Sequence, residues 1–348
     1  MKEQVIKFGP AADQSTRDRF RRPLHDLRIS VMDRCNFRCP YCMPEDKFHK
    51  EFQFLRSKER LSFEEILRVA QVFRKLGVEK VRITGGEPLL RPGLTDLIGD
   101  LNRIDGIDDL ALTTNGVLLG AQAAALKAAG LDRVTVSLDS LDNKVFRVMS
   151  GGRGNIKRVL EGIGEATTAG LSPVKVNTVI KRGLNEHTAL DLVEHFRGTG
   201  VIVRFIEYMD VGTINHWRVS DTVPAKELVD MIDARWPLRP RDRSYQGEVA
   251  SRYEFVDGAG ELGFITSVSK PFCGDCSRAR LSSDGKIFTC LFANHGTDLR
   301  EPLRAGVSDD ELLSIVQNLW RDRADRYSEL RATQAPSGEK VEMYYIGG

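Results

Sequence analysis

Asp33-Arg34-Cys35-Asn36-Phe37-Arg38-Cys39-Pro40-Tyr41-Cys42-Met43-Pro44 sets three cysteines at C-x3-C-x2-C in one short stretch. Thiolates this close together can reach one metal centre. The count of three is informative. A structural zinc site or a closed iron–sulfur cluster normally takes four protein ligands, whereas a cubane held by three leaves one iron open to a ligand that is not protein. The fourth cysteine of a ferredoxin run is missing, since Met43-Pro44 ends the stretch. A zinc loop completed by a distant fourth ligand is the alternative.

Outward from this loop the chain alternates strands and helices. Leu27–Val31 reads as a first strand leading into the cysteines. Further strands are expected at Val78–Thr84, Asp109–Thr114, Arg133–Asp139, Val174–Ile180 and Val201–Glu207. Helices are expected between them, the first opened by the capping box Ser62-Phe63-Glu64-Glu65 and others near 94–104, 121–129, 142–149, 155–169 and 186–197. Six βα units in series predict an α/β fold with parallel strands and helical crossovers. A complete barrel of this kind has eight strands, so the expectation is a partial (βα)6 TIM-like barrel, with a doubly wound open sheet as the alternative. A smaller C-terminal α+β region would close the open side. The expected division is an arm at 1–23, the barrel at 24–210 and the C-terminal region at 211–348.

Strand alternation assigns the faces. Leu27, Ile29, Val31, Val81, Ile83, Leu110, Leu112, Val134, Val136, Val174 and Val176 fall on one face, fit to meet helices. Arg28, Ser30, Lys80, Arg82, Thr84, Thr113, Thr135, Ser137, Asp139, Lys175 and Asn177 fall on the other. A dry core does not tolerate several unpaired cations. The reading is a wet interior that holds an anion, and phosphate suits guanidinium and ammonium donors. The alternative is a shifted register that turns these charges to solvent.

The 348 residues include 51 Lys and Arg against 49 Asp and Glu, a formal net charge of +2. No global field therefore calls for nucleic acid or an anionic membrane. The basic clusters Arg17–Arg22 and Arg235–Arg243 read as solvated surface or interface rather than a binding stripe. No apolar run approaches a membrane span, and 1–20 lacks the apolar core of a signal peptide, so the expectation is a cytoplasmic protein with a mobile N-terminal arm. The six cysteines fall into two sets of three, the second being Cys273, Cys276 and Cys290. In a reducing compartment metal binding is favoured over disulfides. Alone, the second set also admits a zinc ribbon with a fourth ligand such as His295. Two incomplete sets raise the reading of two [4Fe–4S] clusters facing one cavity, each with an open iron. The loop Gly151-Gly152-Arg153-Gly154 reads as flexible, and His25, His49, His187, His195 and His216 as surface or core residues. Trp217, Trp236 and Trp320 read as packing or interface.

The first cysteine loop resembles the radical S-adenosylmethionine (SAM) superfamily. With Leu27-Arg28-Ile29-Ser30-Val31, Arg82-Ile83-Thr84-Gly85-Gly86-Glu87-Pro88, Thr113-Thr114-Asn115-Gly116, Ser137-Leu138-Asp139, Lys175-Val176-Asn177, Phe205-Ile206-Glu207-Tyr208-Met209, the run Cys276-Ser277-Arg278-Ala279-Arg280-Leu281, Cys290-Leu291-Phe292 and the terminal glycines, the chain is similar to the GTP 3′,8-cyclase family of molybdenum cofactor biosynthesis over 24–348. Met32 departs from the family's frequent Thr. The resemblance implies that Cys35, Cys39 and Cys42 hold the SAM cluster, with Tyr41, Gly86, Ser137 and Met209 around SAM. It implies that Arg28, Lys80, Arg82, Thr113, Lys175, Arg278, Ala279 and Arg280 contact GTP, that Arg278 and Arg280 serve catalysis, and that Cys273, Cys276 and Cys290 hold a second [4Fe–4S] cluster. The implied reaction removes the ribose 3′ hydrogen and joins C3′ to C8 of guanine. Gly347-Gly348 would reach into the active site. Implied partners are an electron donor, the next pathway enzyme (cyclic pyranopterin monophosphate synthase) and, at family level, a second copy in a homodimer. A peptide-modifying enzyme with two clusters, and a non-catalytic zinc or electron-carrier protein, are the competing readings.

Overall fold

The strand–helix alternation produces a single sheet. The computed structural model describes residues 16–245, 247–331, 333 and 340–347. Its first six strands are β1 (Asp26–Ser30), β2 (Lys80–Thr84), β3 (Asp109–Thr114), β4 (Arg133–Ser137), β5 (Lys175–Ile180) and β6 (Ile202–Glu207). The crossovers carry α1 (Phe63–Lys75), α2 (Leu94–Asn102), α3 (Leu119–Ala128), α4 (Asn143–Met149) with α5 (Ile156–Thr168), and α6 (Ala189–Phe196). The capping box forms: Ser62 accepts the Glu65 amide, while the Glu65 carboxylate accepts the Ser62 amide at 2.7 Å. α6 starts later than its sequence signal, because Glu186–Thr188 winds as a 3-10 turn.

After β6 come α7 (Ala225–Asp233), β7 (Leu238–Arg241), β8 (Ala250–Phe255), β9 (Glu261–Ile265), β10 (Arg278–Leu281), β11 (Lys286–Phe288) and β12 (Thr297–Asp298). Four helices follow: α8 (Arg300–Arg304), α9 (Asp309–Arg321), α10 (Tyr327–Leu330) and α11 (Met343–Ile346). The sheet order is β12-β11-β10-β1-β2-β3-β4-β5-β6-β9-β8-β7. The later strands thus extend both edges of the first six. β10 pairs parallel with β1, and β9 pairs parallel with β6. The β8–β9 hairpin turns through Asp257-Gly258-Ala259-Gly260 and the β10–β11 hairpin through Ser283-Asp284-Gly285. β7 carries Pro240, which an edge strand accommodates, and it escapes the alternation pattern for that reason.

The face assignment holds. Leu27, Ile29, Val81, Ile83, Leu110, Leu112, Val134, Val136 and Val176 are all buried in one core with Ile66, Phe73, Leu97, Leu126 and Val159 of the helices. Among the described residues no helix is long and apolar enough to cross a membrane. The Arg235–Arg243 cluster is solvated as expected, with Arg235, Arg239, Arg241 and Arg243 exposed and paired to surface carboxylates.

The Arg17–Arg22 cluster departs from expectation at Arg22, while Arg17, Arg19 and Arg21 are exposed. Residues 1–15 of the expected arm lie outside the described residues, but 16–23 pack against the body. Thr16 donates to the Leu76 carbonyl at 2.9 Å. Arg22 is buried, not solvated: its Nε meets Asp18 Oδ2 at 2.6 Å and its Nη1 donates to the carbonyls of Cys273 and Asp325. Arg323 meets the same Asp18 oxygen at 3.1 Å and donates to the Cys276 carbonyl at 2.7 Å. One buried carboxylate therefore holds two buried arginines, and these secure the second cysteine loop. Sequence reading counted charges there and had no means to see the partner 305 residues away. Replacing Asp18 with Ala would leave buried Arg22 without a carboxylate and Arg323 with Asp325 alone, at a cost of about 3–5 kcal/mol. Denaturant unfolding of D18A should show that loss, and a midpoint equal to wild type would refute the clasp.

Candidate active site

Two rows of side chains cross the polar face of the sheet in register. In the lower row Arg278 of β10 lies opposite Asp26 of β1, Asp26 opposite Lys80 of β2, and Lys80 opposite Asp109 of β3. Charge alternates along it. Lys80 Nζ lies 3.7 Å from Asp26 and 3.4 Å from Asp109. Burial alone would raise the Asp26 carboxyl, but His25, Lys80 and Arg278 hold it at about 2. Asp109 also takes a bidentate pair from Arg133 at 2.7 and 2.6 Å.

The next row on the same face is unbalanced. Arg280 of β10 is opposite Arg28 of β1, Arg28 opposite Arg82 of β2, and Arg82 opposite Ala111 of β3. Like charges directly opposite one another repel. Burial, reinforced by neighbouring cations, lowers the Arg82 guanidinium to about 9 and Arg280 to about 10, and pushes Arg28 well below its ordinary value. Arg82 is held by neutral hydroxyls, Thr113 at 3.0 Å and Thr135 at 3.1 Å. Arg204 of β6 donates to Asn177 Oδ1 at 2.9 Å and is lowered to about 10 by burial and by Arg133. Lys175 of β5 is lowered to about 7 by burial, then by Arg204, Arg133 and Arg82. Neither Arg28 nor Lys175 hydrogen-bonds or ion-pairs through its side chain with another described residue. These cations line a cavity of about 350 Å³. Its walls carry eight cationic side chains, namely Arg28, Lys80, Arg82, Arg133, Lys175, Arg204, Arg278 and Arg280, against four carboxylates, Asp26, Asp109, Glu207 and Glu248. A buried excess of positive charge with fixed donors is what a polyanion requires.

The first cysteine loop lies beyond the C-terminal end of β1, where ligands of parallel α/β sheets gather. Buried Arg38 staples it, donating to the carbonyls of Cys35 at 2.8 Å, Phe37 at 2.7 Å and Phe48 at 2.9 Å. The Gly85-Gly86-Glu87-Pro88 turn lies against it. The Gly86 amide donates to the Met32 carbonyl at 2.7 Å, and a Cβ on Gly86 would stand 2.3 Å from the Arg34 oxygen, so the approach demands glycine. Glu87 is buried and accepts from Leu89, Thr114 and Asn115, while Asn115 Nδ2 reaches Asn36 at 2.6 Å. Burial raises Glu87 to about 7. The 151–154 loop, expected to be flexible, packs here as well: a Cβ on Gly151 would meet the Arg38 oxygen at 2.0 Å.

The thiols of Cys35, Cys39 and Cys42 are each pushed up by burial, and Cys42 and Cys35 both add to the rise at Cys39. They are thus half-buried neighbours that would gain by shedding protons to a metal. The Phe37 amide already points at Cys35 Sγ, 3.4 Å away. Among the described residues no three His, Cys, Asp or Glu side chains are gathered tightly enough for a single ion. A cubane asks for something different, one thiolate on each of three irons, and this donor set fits it.

The second set lies at the other end of the same strands. Cys276 precedes β10, whose Arg278 stands opposite Asp26 at the start of β1. The sets are separated by about the length of β1, on the order of 15 Å. Cys273, Cys276 and Cys290 all line the cavity. Burial would raise Cys276, yet Arg278, with Nη2 3.7 Å from the sulfur, and Arg323 hold it down to about 6. Burial raises Cys290 to about 12. The Phe292 amide points at Cys290 Sγ from 3.5 Å. These thiols fit a cluster as the first set does.

Tyr41 and Met209 line the same cavity, with Thr113, so it runs from the first loop to the second. The Tyr41 hydroxyl donates to Asp139 at 2.8 Å, and burial raises that carboxyl to about 6. Gly86 and Ser137 are not among the lining residues; Ser137 ends β4 opposite Asn177. Ala279 is the exception among the expected contacts. Strand alternation turns its side chain into the apolar core between outward-facing Arg278 and Arg280, leaving only its main chain toward the cavity side. Sequence reading passed over Arg133, Arg204, Asp26, Asp109 and Tyr245. Extending the alternation two residues back from Thr135 would have found Arg133. Tyr245, whose hydroxyl lies 2.5 Å from Lys80 Nζ, sits in a loop with no periodic signal. Gly348 lies outside the described residues. Gly347 is placed against Thr84, and its carbonyl accepts from Arg280 Nη1.

A family model for the radical SAM superfamily matches residues 29–196, and one described as Molybdenum Cofactor Synthesis C matches 201–329. A GTP 3′,8-cyclase of Xanthomonas axonopodis pv. citri is 54% identical over 331 residues, covering 95% of this chain and 98% of that protein. The namesake from Acidothermus cellulolyticus is 47% identical over 360 residues, covering 96% and 99%. Among solved structures, Streptococcus suis SuiB bound to S-adenosylmethionine superposes with a TM-score of 0.60 at 16% identity, over 85% of this chain and 66% of that one. Native anSMEcpe with bound AdoMet and Cp18Cys peptide gives 0.52 at 13%, over 92% and 94%. These two likenesses show the fold alone. With both cysteine sets, the cation row and near full-length identity in hand, the chain belongs to the GTP 3′,8-cyclase family of the radical SAM superfamily.

Proposed function

We propose that this chain cyclises GTP to (8S)-3′,8-cyclo-7,8-dihydroguanosine 5′-triphosphate, an early step of molybdenum cofactor biosynthesis. The observation that carries the reading is the cation-lined cavity with Tyr41 of the first cysteine loop in one wall and all three cysteines of the second set in another. Residues 24–210 serve as a partial (βα)6 barrel, and 211–348 as the C-terminal region that completes the site; 1–23 is the arm. Cys35, Cys39 and Cys42 would hold one [4Fe–4S] cluster, and Cys273, Cys276 and Cys290 a second. When bound, the first cluster with SAM supplies the 5′-deoxyadenosyl radical. Tyr41, Gly86, Ser137 and Met209 belong to the SAM side. Arg28, Arg82, Thr113 and Lys175, joined by Arg204, take the triphosphate and ribose, and the lower row anchors Lys80 and Arg278. Arg278 and Arg280 stand between the triphosphate row and the second cysteine set, where they orient the base and can hold or pass a proton. Fixing the substrate in a buried site supplies the orientation that a radical attack requires and excludes water. An electron donor and the next enzyme of the pathway are the partners this chemistry calls for.

The test is anaerobic. Cluster-loaded protein with reductant and SAM is offered GTP, ATP, CTP or UTP, and 5′-deoxyadenosine and nucleotide loss are followed. GTP alone should give matched deoxyadenosine and nucleotide consumption; deoxyadenosine without nucleotide loss would move the substrate elsewhere. R82A should lower kcat/KM for GTP roughly ten- to a hundredfold, the loss of one charged hydrogen bond. A second prediction concerns Lys175, whose folded value of about 7 lies below its unfolded one. Above pH 7 the unfolded chain binds more protons here, so this group's contribution to stability rises with pH up to its unfolded value. A bound phosphate favours the charged lysine. GTP binding at pH 8 should therefore take up most of a proton, and affinity should fall as pH rises past 7. Calorimetry in buffers of different ionisation enthalpy reads this uptake. It should vanish in K175M, and an equal uptake in that variant would rule the lysine out.

A further inference from the structure

Asp210 follows Met209 just past the end of β6 and is 8% exposed. Residues far along the chain converge on it. Oδ1 accepts from Arg331 Nε at 2.8 Å, and Oδ2 accepts from Lys340 Nζ at 2.7 Å and from the Tyr327 hydroxyl at 2.5 Å. Its main-chain oxygen accepts from Lys340 Nζ again, at 3.0 Å. Lys340 and Tyr327 also bond each other at 2.5 Å. The Phe292 ring, next to the second cysteine set, stacks on Tyr327 with centroids 4.5 Å apart and lies under Arg331. A buried carboxylate thus neutralises two cations that would otherwise face each other.

Lys340 opens the last described segment. A second tie follows at once: Glu342 Oε1 accepts from the Thr213 amide at 2.8 Å and from its hydroxyl at 2.9 Å. Val341 donates to the Ala293 carbonyl at 3.0 Å. α11 then brings Met343 to the cavity wall, Tyr345 to Asp284 at 2.6 Å, and the Gly347 carbonyl to Arg280. The loop 209–213 therefore carries a cavity residue, Met209, together with both anchors of the segment that ends on Arg280.

We propose that Asp210 is the positioning residue for this terminal segment. By gathering Tyr327, Arg331 and Lys340 it fixes where α11 enters the cavity, and so where Met343 and the Gly347 carbonyl stand relative to Arg280. The catalytic consequence rests on the GTP cyclase reading; the structural consequence does not.

Hydrogen exchange on the cluster-loaded full chain tests it. In D210A the peptide over 340–347 should exchange at least about tenfold faster, as local opening without global unfolding does, while β1–β6 keep their protection. K340M, which alters only the tail's side of the knot, should loosen the same peptide. With the phosphate row intact, kcat for GTP-dependent deoxyadenosine should fall in both variants by about tenfold while KM for GTP moves much less. D210N, keeping one neutral acceptor, should fall between. Should D210A loosen the sheet as well, K340M decides: an intact sheet with wild-type exchange in its tail overturns the proposal. A loosened tail with unchanged turnover overturns the catalytic half. Absence of GTP turnover in the wild type, with loosened tails in the variants, would fault the cyclase reading and leave the latch standing.

Discussion

The arrangement depends on a row of like charges that nothing in the protein neutralises. Arg280, Arg28 and Arg82 stand in register on three adjacent parallel strands, with Lys175 and Arg204 further along the same face. A folded chain tolerates this because the row beneath alternates in sign and because the opposite face of every strand is packed in a continuous apolar core. Electrostatic strain is concentrated in one cavity, where a bound polyanion would relieve it. Binding strength is then built into the free protein as donors already aimed and already desolvated, the condition under which a charged contact is worth most.

The two cysteine sets take different support. The first is stapled by Arg38 and also has carboxylates nearby: Glu87 beside its loop and Asp139 on Tyr41 both lie near thiols that burial has pushed up. The second is held by cations, Arg22 and Arg323 on its main-chain oxygens and Arg278 at the Cys276 sulfur. A cluster in the second site would have Arg278 at its Cys276 sulfur, and one in the first would lie near Glu87 and Asp139. Surrounding charge and hydrogen bonds to sulfur are among the levers that set cluster potentials, so two clusters held here would differ by what is packed behind each.

Segments distant in sequence finish the site. Thr16–Pro23 braces the second cysteine loop, the loop after β6 moors the C-terminal segment, and that segment returns to Arg280. The cavity is closed by parts that pair with the sheet only at its edges or not at all. Such parts open more readily than a core strand does, which suits a site that must admit a nucleotide and then exclude water.

Much of this was legible in the residue order. C-x3-C-x2-C, the βα alternation, the capping box at Ser62 and the two-faced strands each follow from local chemistry: ligand count, period, turn preference and side-chain alternation. Arg28, Arg82, Thr113 and Lys175 could be placed on one face because parity along a strand is fixed by the backbone. Parity does not say which residue of the next strand lies opposite, and register alone set Arg280 beside Arg28 and Asp26 beside Lys80. Nor could sequence foretell that β10 would join β1 and β9 join β6, that Arg22 would be buried on Asp18, or that Asp210 would gather three groups more than a hundred residues away. Those are pairings between segments whose separation along the chain carries no period or spacing. The sequence by itself determined which residues are candidate ligands, which faces are polar and which elements form. Only the tertiary structure decided which charges find partners, because burial removes water as the default partner and leaves each ion to whatever the fold brings within reach.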